Sequence, residues 1–115
     1  LALLRYRPGQ HYAPHFDWID PTDRSKAADL AAWGQRIKTL IVYLNDDFEG
    51  GETSFPRAEK LIFRGERGDA LMWDNLTAAG AVDPLTLHAG LTPAAGEKWL
   101  LSLWLRDRNQ GRNFT

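Results

Sequence analysis

Turn-forming residues cut most of this chain into short pieces. Pro8-Gly9, the polar glycine-rich residues 45–51, Pro56, Gly65 with Gly68, and Ala94-Ala95-Gly96 each interrupt it. Glycine reaches backbone conformations closed to other residues, and proline withholds a donor, so such punctuation leaves little room for long regular elements. Between the breaks lie runs rich in Leu, Ile, Val, Tyr and Trp. The pattern predicts strands over 2–7, 10–17, 37–44, 60–63, 69–74, 85–89 and 97–106. Many short strands joined by turns make the chain mainly β: a sandwich, jelly roll or barrel. Residues 18–35 differ. The part from 20 to 35 is polar and alanine-rich, and reads either as a mobile loop or as a short helix capped by Asp20 or Thr22 and ending near Gly34.

The 115 residues suffice for one domain, 1–115, with one core. There are no cysteines, which excludes disulfides, zinc–thiolate sites, iron–sulfur clusters and thiol nucleophiles together. Any metal must be held by nitrogen and oxygen. The net charge of −1 gives no basic surface for nucleic acid or an anionic membrane, and no apolar run is long enough to span a bilayer. The chain opens on Leu1-Ala2-Leu3-Leu4, which reads as the middle of a strand, so an N-terminal portion is expected to be missing. Localisation is therefore not legible from this terminus, and the lack of a targeting segment in view gives only a weak lean to the cytoplasm. The oligomeric state is not legible.

Two strands carry informative alternation, because successive side chains on a strand point to opposite faces. In 37–44, Thr39, Ile41 and Tyr43 share one face, with Leu40, Val42 and Leu44 on the other. In 98–105, Trp99, Leu101, Leu103 and Leu105 form an apolar row suited to packing against another layer. The opposite row, Lys98, Leu100, Ser102 and Trp104, mixes a cation, a hydroxyl and an indole, and predicts a lined pocket.

His15-Phe16-Asp17 places an imidazole and a carboxylate at i and i+2, on one side of a strand. By itself this pair reads as well as a surface pair, and His88 by itself as a satisfied core histidine. Together they supply two imidazoles and one carboxylate, the set used by non-haem Fe(II) oxygenases with positions left open for cosubstrate and oxygen. Zinc also accepts such ligands. Lys98, ten residues after His88 and at the head of the pocket-facing row, favours the first alternative. A buried ammonium calls for an anion, and the distal carboxylate of 2-oxoglutarate would be one. Its bland alternative is a lysine reaching solvent at a strand end.

Five blocks, RYRPGQHYAPHFDW, TLIVYLNDDFEGGETSFP, RGDALMWDNL, LHAG and GEKWLLSLWLR, resemble in order and spacing the prolyl 4-hydroxylase branch of the 2-oxoglutarate oxygenases. The resemblance runs through nearly the whole chain and is weakest over 18–35. It implies a double-stranded β-helix, a jelly roll with the metal between its sheets, with supporting helices N-terminal to this core. It implies that His15, Asp17 and His88 hold Fe(II), that Lys98 and Tyr43 bind the distal carboxylate of 2-oxoglutarate, and that Tyr6 sits near metal and cosubstrate. Thr53, Ser102 and Trp104 would line the pocket. Tyr12 and Trp18 would meet the substrate, and His11 would face solvent.

The chemistry so implied consumes 2-oxoglutarate and O2, with ascorbate in support, and hydroxylates an unactivated C–H bond while succinate and carbon dioxide leave. A proline-containing peptide or protein is the expected substrate. A free amino acid or other small molecule is an alternative within the enzyme class, and a metal-binding jelly-roll module without turnover is one from outside it. Residues 18–35 leave the strand that carries His15 and Asp17, and are expected to form a mobile segment that closes over the substrate.

Overall fold

The structure, a computed structural model, describes residues 1–108. Ten strands follow one another: β1 (Ala2–Tyr6), β2 (Tyr12–His15), β3 (Arg36–Tyr43), β4 (Glu49–Gly50), β5 (Thr53–Phe55), β6 (Leu61–Phe63), β7 (Ala70–Asp74), β8 (His88–Gly90), β9 (Pro93–Ala95) and β10 (Lys98–Arg106). One helix, α1 (Ala27–Trp33), lies between β2 and β3. The strands form two antiparallel four-stranded sheets, ordered β1-β10-β3-β7 and β2-β8-β5-β6, and β4 pairs with β9 alongside them. The chain passes repeatedly from one sheet to the other, which is the jelly roll expected.

Register decides what lines the interior. Tyr6 pairs with Lys98, Leu100 with Tyr43, Ser102 with Ile41, and Trp104 with Thr39, which pairs in turn with Trp73. Opposed residues project to the same face of a sheet, so these side chains form one inward surface. Tyr6, Ile41, Tyr43, Phe48 and Leu100 are its buried apolar cluster. Thr39, Lys98 and Ser102 are buried beside them. The mixed row of β10 therefore faces the interior, as its composition predicted. The apolar row behaves differently. Leu101 and Leu103 are half-buried and Leu105 is exposed, so this row is only partly covered.

Two predicted elements change. The strand expected over 10–17 is confined to Tyr12–His15, with a register irregularity inside it, and Asp17 lies in the bend beyond. The strand expected over 85–89 begins instead as a 3-10 turn, Pro84–Thr86, because Asp83 accepts the Leu85 amide at 3.0 Å and Pro84 suits the first helical position. Strand pairing then starts at His88. Strands β4, β5 and β9 were not predicted. Runs of two or three residues have no measurable periodicity, and only their partners define them.

The segment after Asp17 contains the short helix. Asp23, rather than Asp20 or Thr22, is the cap, accepting the Ser25 amide at 3.0 Å ahead of a 3-10 turn over Arg24–Lys26 that runs into α1. Asp20 instead binds the Thr22 amide and hydroxyl, at 2.9 and 2.7 Å. The helix stops at Gly34, whose φ of 79° favours glycine and where a Cβ would collide with the Asp107 carboxylate. No residue of α1 is buried. The neck of the segment, in contrast, is tied. Gln35 accepts the Ile19 amide at 2.7 Å and donates to the Ile19 carbonyl at 2.8 Å.

Candidate active site

His15 and His88 are direct cross-strand partners on β2 and β8, with ring centroids 4.3 Å apart. Each Nδ1 lies 2.7 Å from a backbone carbonyl, that of Ala13 for His15 and that of Thr86 for His88. A carbonyl can only accept, so each Nδ1 carries the proton and each Nε2 offers a lone pair. Both Nε2 atoms turn to one oxygen of Asp17, at 3.2 Å from His15 and 3.4 Å from His88. Lone pairs converging on a carboxylate repel unless a cation lies among them. The three ligand atoms fall within 4.8 Å of one another, and Asp17 and His88 are buried. This donor set fits a divalent metal ion.

The electrostatics agree. Burial, the largest influence on Asp17, would raise its pKa, but hydrogen bonds with His15, His88 and Thr39 outweigh it and hold the carboxyl well below the usual carboxylate range. For His15 burial opposes a charge, and the hydrogen bonds with Asp17 and the Ala13 carbonyl outweigh it and raise the imidazole. These shifts belong to the metal-free cluster, in which a proton on Nε2 takes the place that a cation would occupy.

A cavity of about 640 Å³ opens over the cluster, within the size range of small-molecule sites. Tyr6, Tyr12, Trp18, Thr53, Ser102 and Trp104 all line it, as do His15, Asp17 and His88. Asp20, Asp23 and Lys26 bring the segment after Asp17 to its wall. His11 is exposed and borders a separate shallow groove.

Lys98 and Tyr43 stand behind this wall. Both are fully buried. The Lys98 ammonium donates to the Gly51 carbonyl at 2.8 Å and lies 4.2 Å from the centroid of the Tyr6 ring. Tyr6 thus separates Lys98 from the open cavity. The Tyr43 hydroxyl donates to the Phe63 carbonyl, at 3.2 Å, and meets the Thr53 hydroxyl at 3.0 Å. Burial lowers the Lys98 pKa to about 8, and the opposing Glu52 carboxylate does not offset it. Burial also pushes the Tyr6 hydroxyl up to about 12, helped by Tyr12 and Asp17, so it stays protonated and able to donate.

Four residues with no assigned role in the sequence reading belong to this site. Thr39 donates to the second oxygen of Asp17 at 2.7 Å, and Asn75 donates to Thr39 at 2.9 Å. Gln35 clasps the chain two residues beyond Asp17. Arg36 lines the cavity with its guanidinium 4.1 Å from the centroid of Trp104. Its Nε and the Trp104 Nε1 are buried without a protein acceptor. Thr39 could have been found from its place on the pocket-facing row. Nothing local marks the other three.

The chain is similar to prolyl 4-hydroxylases. Prolyl 4-hydroxylase 1 of Arabidopsis thaliana is 34% identical over 120 residues, a match covering 94% of this chain and 41% of the relative. The prolyl 4-hydroxylase subunit alpha-1 of Homo sapiens is 34% identical over 110 residues, covering 96% and 20%. Among solved structures, a viral collagen prolyl hydroxylase from Paramecium bursaria Chlorella virus-1, in its 2OG complex, superposes with a TM-score of 0.74 at 32% identity, covering 93% of this chain and 57% of that one. The chain therefore spans only part of the length of these proteins. The model of the 2OG-Fe(II) oxygenase superfamily matches residues 1–106, nearly all that the structure describes, and the chain belongs to that superfamily.

Proposed function

We propose that this domain is the catalytic core of an Fe(II)- and 2-oxoglutarate-dependent hydroxylase that acts on prolyl residues in a peptide or protein. The observation that carries the reading is the convergence of two Nε2 lone pairs and one Asp17 oxygen at the floor of a cavity, in a chain of this superfamily. His15, Asp17 and His88 would hold the iron. When bound, iron and 2-oxoglutarate supply the oxidising power: the keto acid loses carbon dioxide, and the two atoms of O2 end in the succinate carboxylate and the new hydroxyl.

The chain's own residues do the rest. Backbone carbonyls fix both imidazoles in the Nε2-binding tautomer, which removes a reorganisation step when metal enters. Lys98 supplies the buried cation for the distal carboxylate, and binding that anion restores the charged state that burial disfavours. Reaching it requires the Tyr6 ring to yield, so Tyr6 acts as the partition between carboxylate pocket and metal. Tyr43 and Thr53 offer hydroxyls at the far end of that pocket. On the other side, the unpaired donors of Arg36 and Trp104 suit peptide carbonyls, which a peptide substrate presents at every residue. Tyr12, half exposed, and Trp18 form the apolar part of that wall.

The test is succinate formation from 2-oxoglutarate with Fe(II) and ascorbate, run against proline-rich peptides and against free proline, with mass spectrometry for oxygen insertion. Peptide-dependent succinate and an oxygenated prolyl residue support the reading. Turnover on free proline alone moves the substrate to small molecules. Tight metal binding without succinate leaves a metal-binding module.

A further inference from the structure

We propose that Asn75 and Thr39 are positioning residues that reserve one oxygen of Asp17, so that this carboxylate meets the metal through its other oxygen alone. The inference rests on the metal site described above and concerns how that site is kept open. Asp17 Oδ1 is the atom that both histidines face. Asp17 Oδ2 accepts the Thr39 hydroxyl at 2.7 Å. An ionised carboxylate has no proton to give, and a threonine hydroxyl has only one. Thr39 must therefore donate to Asp17 and can only accept from its other neighbour. That neighbour is Asn75 Nδ2, 2.9 Å away.

The direction of this chain explains an otherwise costly feature. Asn75 is fully buried, and its Oδ1 has no hydrogen-bond partner. A buried acceptor of that kind is normally avoided. Turning the amide over would bring Oδ1 toward Thr39, which has no proton left for it. The amide is thus held with its nitrogen toward the site by the charge on Asp17, two hydrogen bonds away, and by the Arg36 carbonyl, which accepts from the same nitrogen at 3.3 Å. The backbone supports this placement: the Asn75 amide donates to the Ile37 carbonyl at 2.8 Å, and the Asn75 carbonyl accepts from Asp83 at 3.0 Å. A residue just past the end of β7 so fixes, through β3, the orientation of a carboxylate beyond the end of β2. Asp17 lies in a bend rather than on the strand, so the pleat does not orient it, and this relay does.

The consequence is chemical. A carboxylate with both oxygens free can chelate an ion and fill a position that cosubstrate or oxygen needs. The relay prevents this by occupying Oδ2.

The experiment loads Co(II), as a spectroscopic probe, into the wild-type protein and into Thr39→Val, Thr39→Ser and Asn75→Asp, without oxygen. Thr39→Val keeps shape and removes the donor, Thr39→Ser restores the hydroxyl, and Asn75→Asp keeps size and in its ionised form has no proton to donate. We expect the Co(II) d–d spectrum of Thr39→Val and Asn75→Asp to shift toward fuller coordination, and their 2-oxoglutarate dissociation constant on the metal-loaded protein to rise about tenfold, within the usual range for residues that orient metal ligands. Thr39→Ser should match the wild type in both. Folding is checked by circular dichroism, and Thr39→Ala replaces the valine variant if its methyl disturbs packing. A hydroxyl-free variant that folds and keeps the wild-type spectrum and constant overturns the relay. A wild-type protein that binds neither Co(II) nor Fe(II) overturns the metal site itself.

Discussion

The Nε2 atoms of His15 and His88, on neighbouring antiparallel strands, lie 3.2 and 3.4 Å from the same oxygen of Asp17. Three groups of this kind held together without a cation repel one another or share a proton, so a bound ion should stabilise the fold. At a hundredfold excess over its Kd, a metal that binds only the folded state adds about 2.7 kcal/mol, a rise of several degrees in Tm for a domain of this size. Thermal unfolding with Fe(II) or Co(II) under nitrogen should show this rise, and chelator should reverse it. His88→Ala should show no metal-dependent rise. A Tm indifferent to metal in the wild type contradicts the site.

Lys98 should impose a pH dependence on cosubstrate binding. Its pKa is lowered to about 8 by burial, from the ordinary lysine value of 10.5. Below about pH 8 the ammonium is already charged, and affinity for 2-oxoglutarate should be flat. Above that, each binding event must take up a proton, and the dissociation constant should rise by up to about tenfold per pH unit. Calorimetry in buffers of different ionisation enthalpy reads the proton uptake directly. In the ligand-free protein the sign for stability is opposite. The unfolded chain binds more protons between about pH 8 and 10.5, so the Lys98 contribution to stability improves as pH rises through that window. Lys98→Met should remove that slope from the denaturation midpoints.

Truncation of Lys98 separates its role from that of His15, Asp17 and His88. A charge-assisted hydrogen bond in a partly dry site contributes about 1.5–3 kcal/mol. Lys98→Ala should therefore raise the apparent 2-oxoglutarate constant by roughly ten- to a hundredfold and leave Co(II) affinity near that of the wild type. Tyr43→Phe loses one neutral hydrogen bond and should raise the same constant only severalfold, in line with about 0.5–1.5 kcal/mol. An unchanged constant in Lys98→Ala would remove that residue from the cosubstrate pocket.

The segment from Trp18 to Gln35 should open by hinging at a fixed neck. Its helix buries no residue, whereas Ile19 is buried and bound twice by Gln35. Arg106 reaches across to Asp29 and to the Gly34 carbonyl, but this contact is partly solvated and contributes little. Hydrogen exchange should be fast over 20–32 and slow at Ile19 in the free protein, with 20–32 slowing when a proline-rich peptide and cosubstrate are bound. Equal, strong protection of 20–32 in both states would describe a static helix.

Alternation in β3 and β10 was readable without any structure, because which side chains share a face is a property of consecutive residues. That is why Thr39, Ile41 and Tyr43, and Lys98, Leu100 and Ser102, proved to face the interior as expected. The punctuation by Gly and Pro likewise sufficed for a β fold of short strands, and the quoted blocks for the family and for the choice of His15, Asp17 and His88, which the structure brings together. What tertiary structure alone decided is pairing and orientation. His15 opposes His88 through a register that spans more than seventy residues of chain, and no local rule encodes it. Asp17 reaches the histidines from a bend, aimed by Thr39 and Asn75, so the i and i+2 spacing that drew attention to it is not what places it. Lys98 could have been a solvated strand end. It became a fully buried cation because β1 lays Tyr6 across it and Gly51, with φ of 65°, turns its carbonyl toward the ammonium. Side-chain chemistry and periodicity are local and survive in the sequence. Burial, hydrogen-bond direction and the company a charge keeps are sums over distant segments, and they exist only once the two sheets have closed on each other.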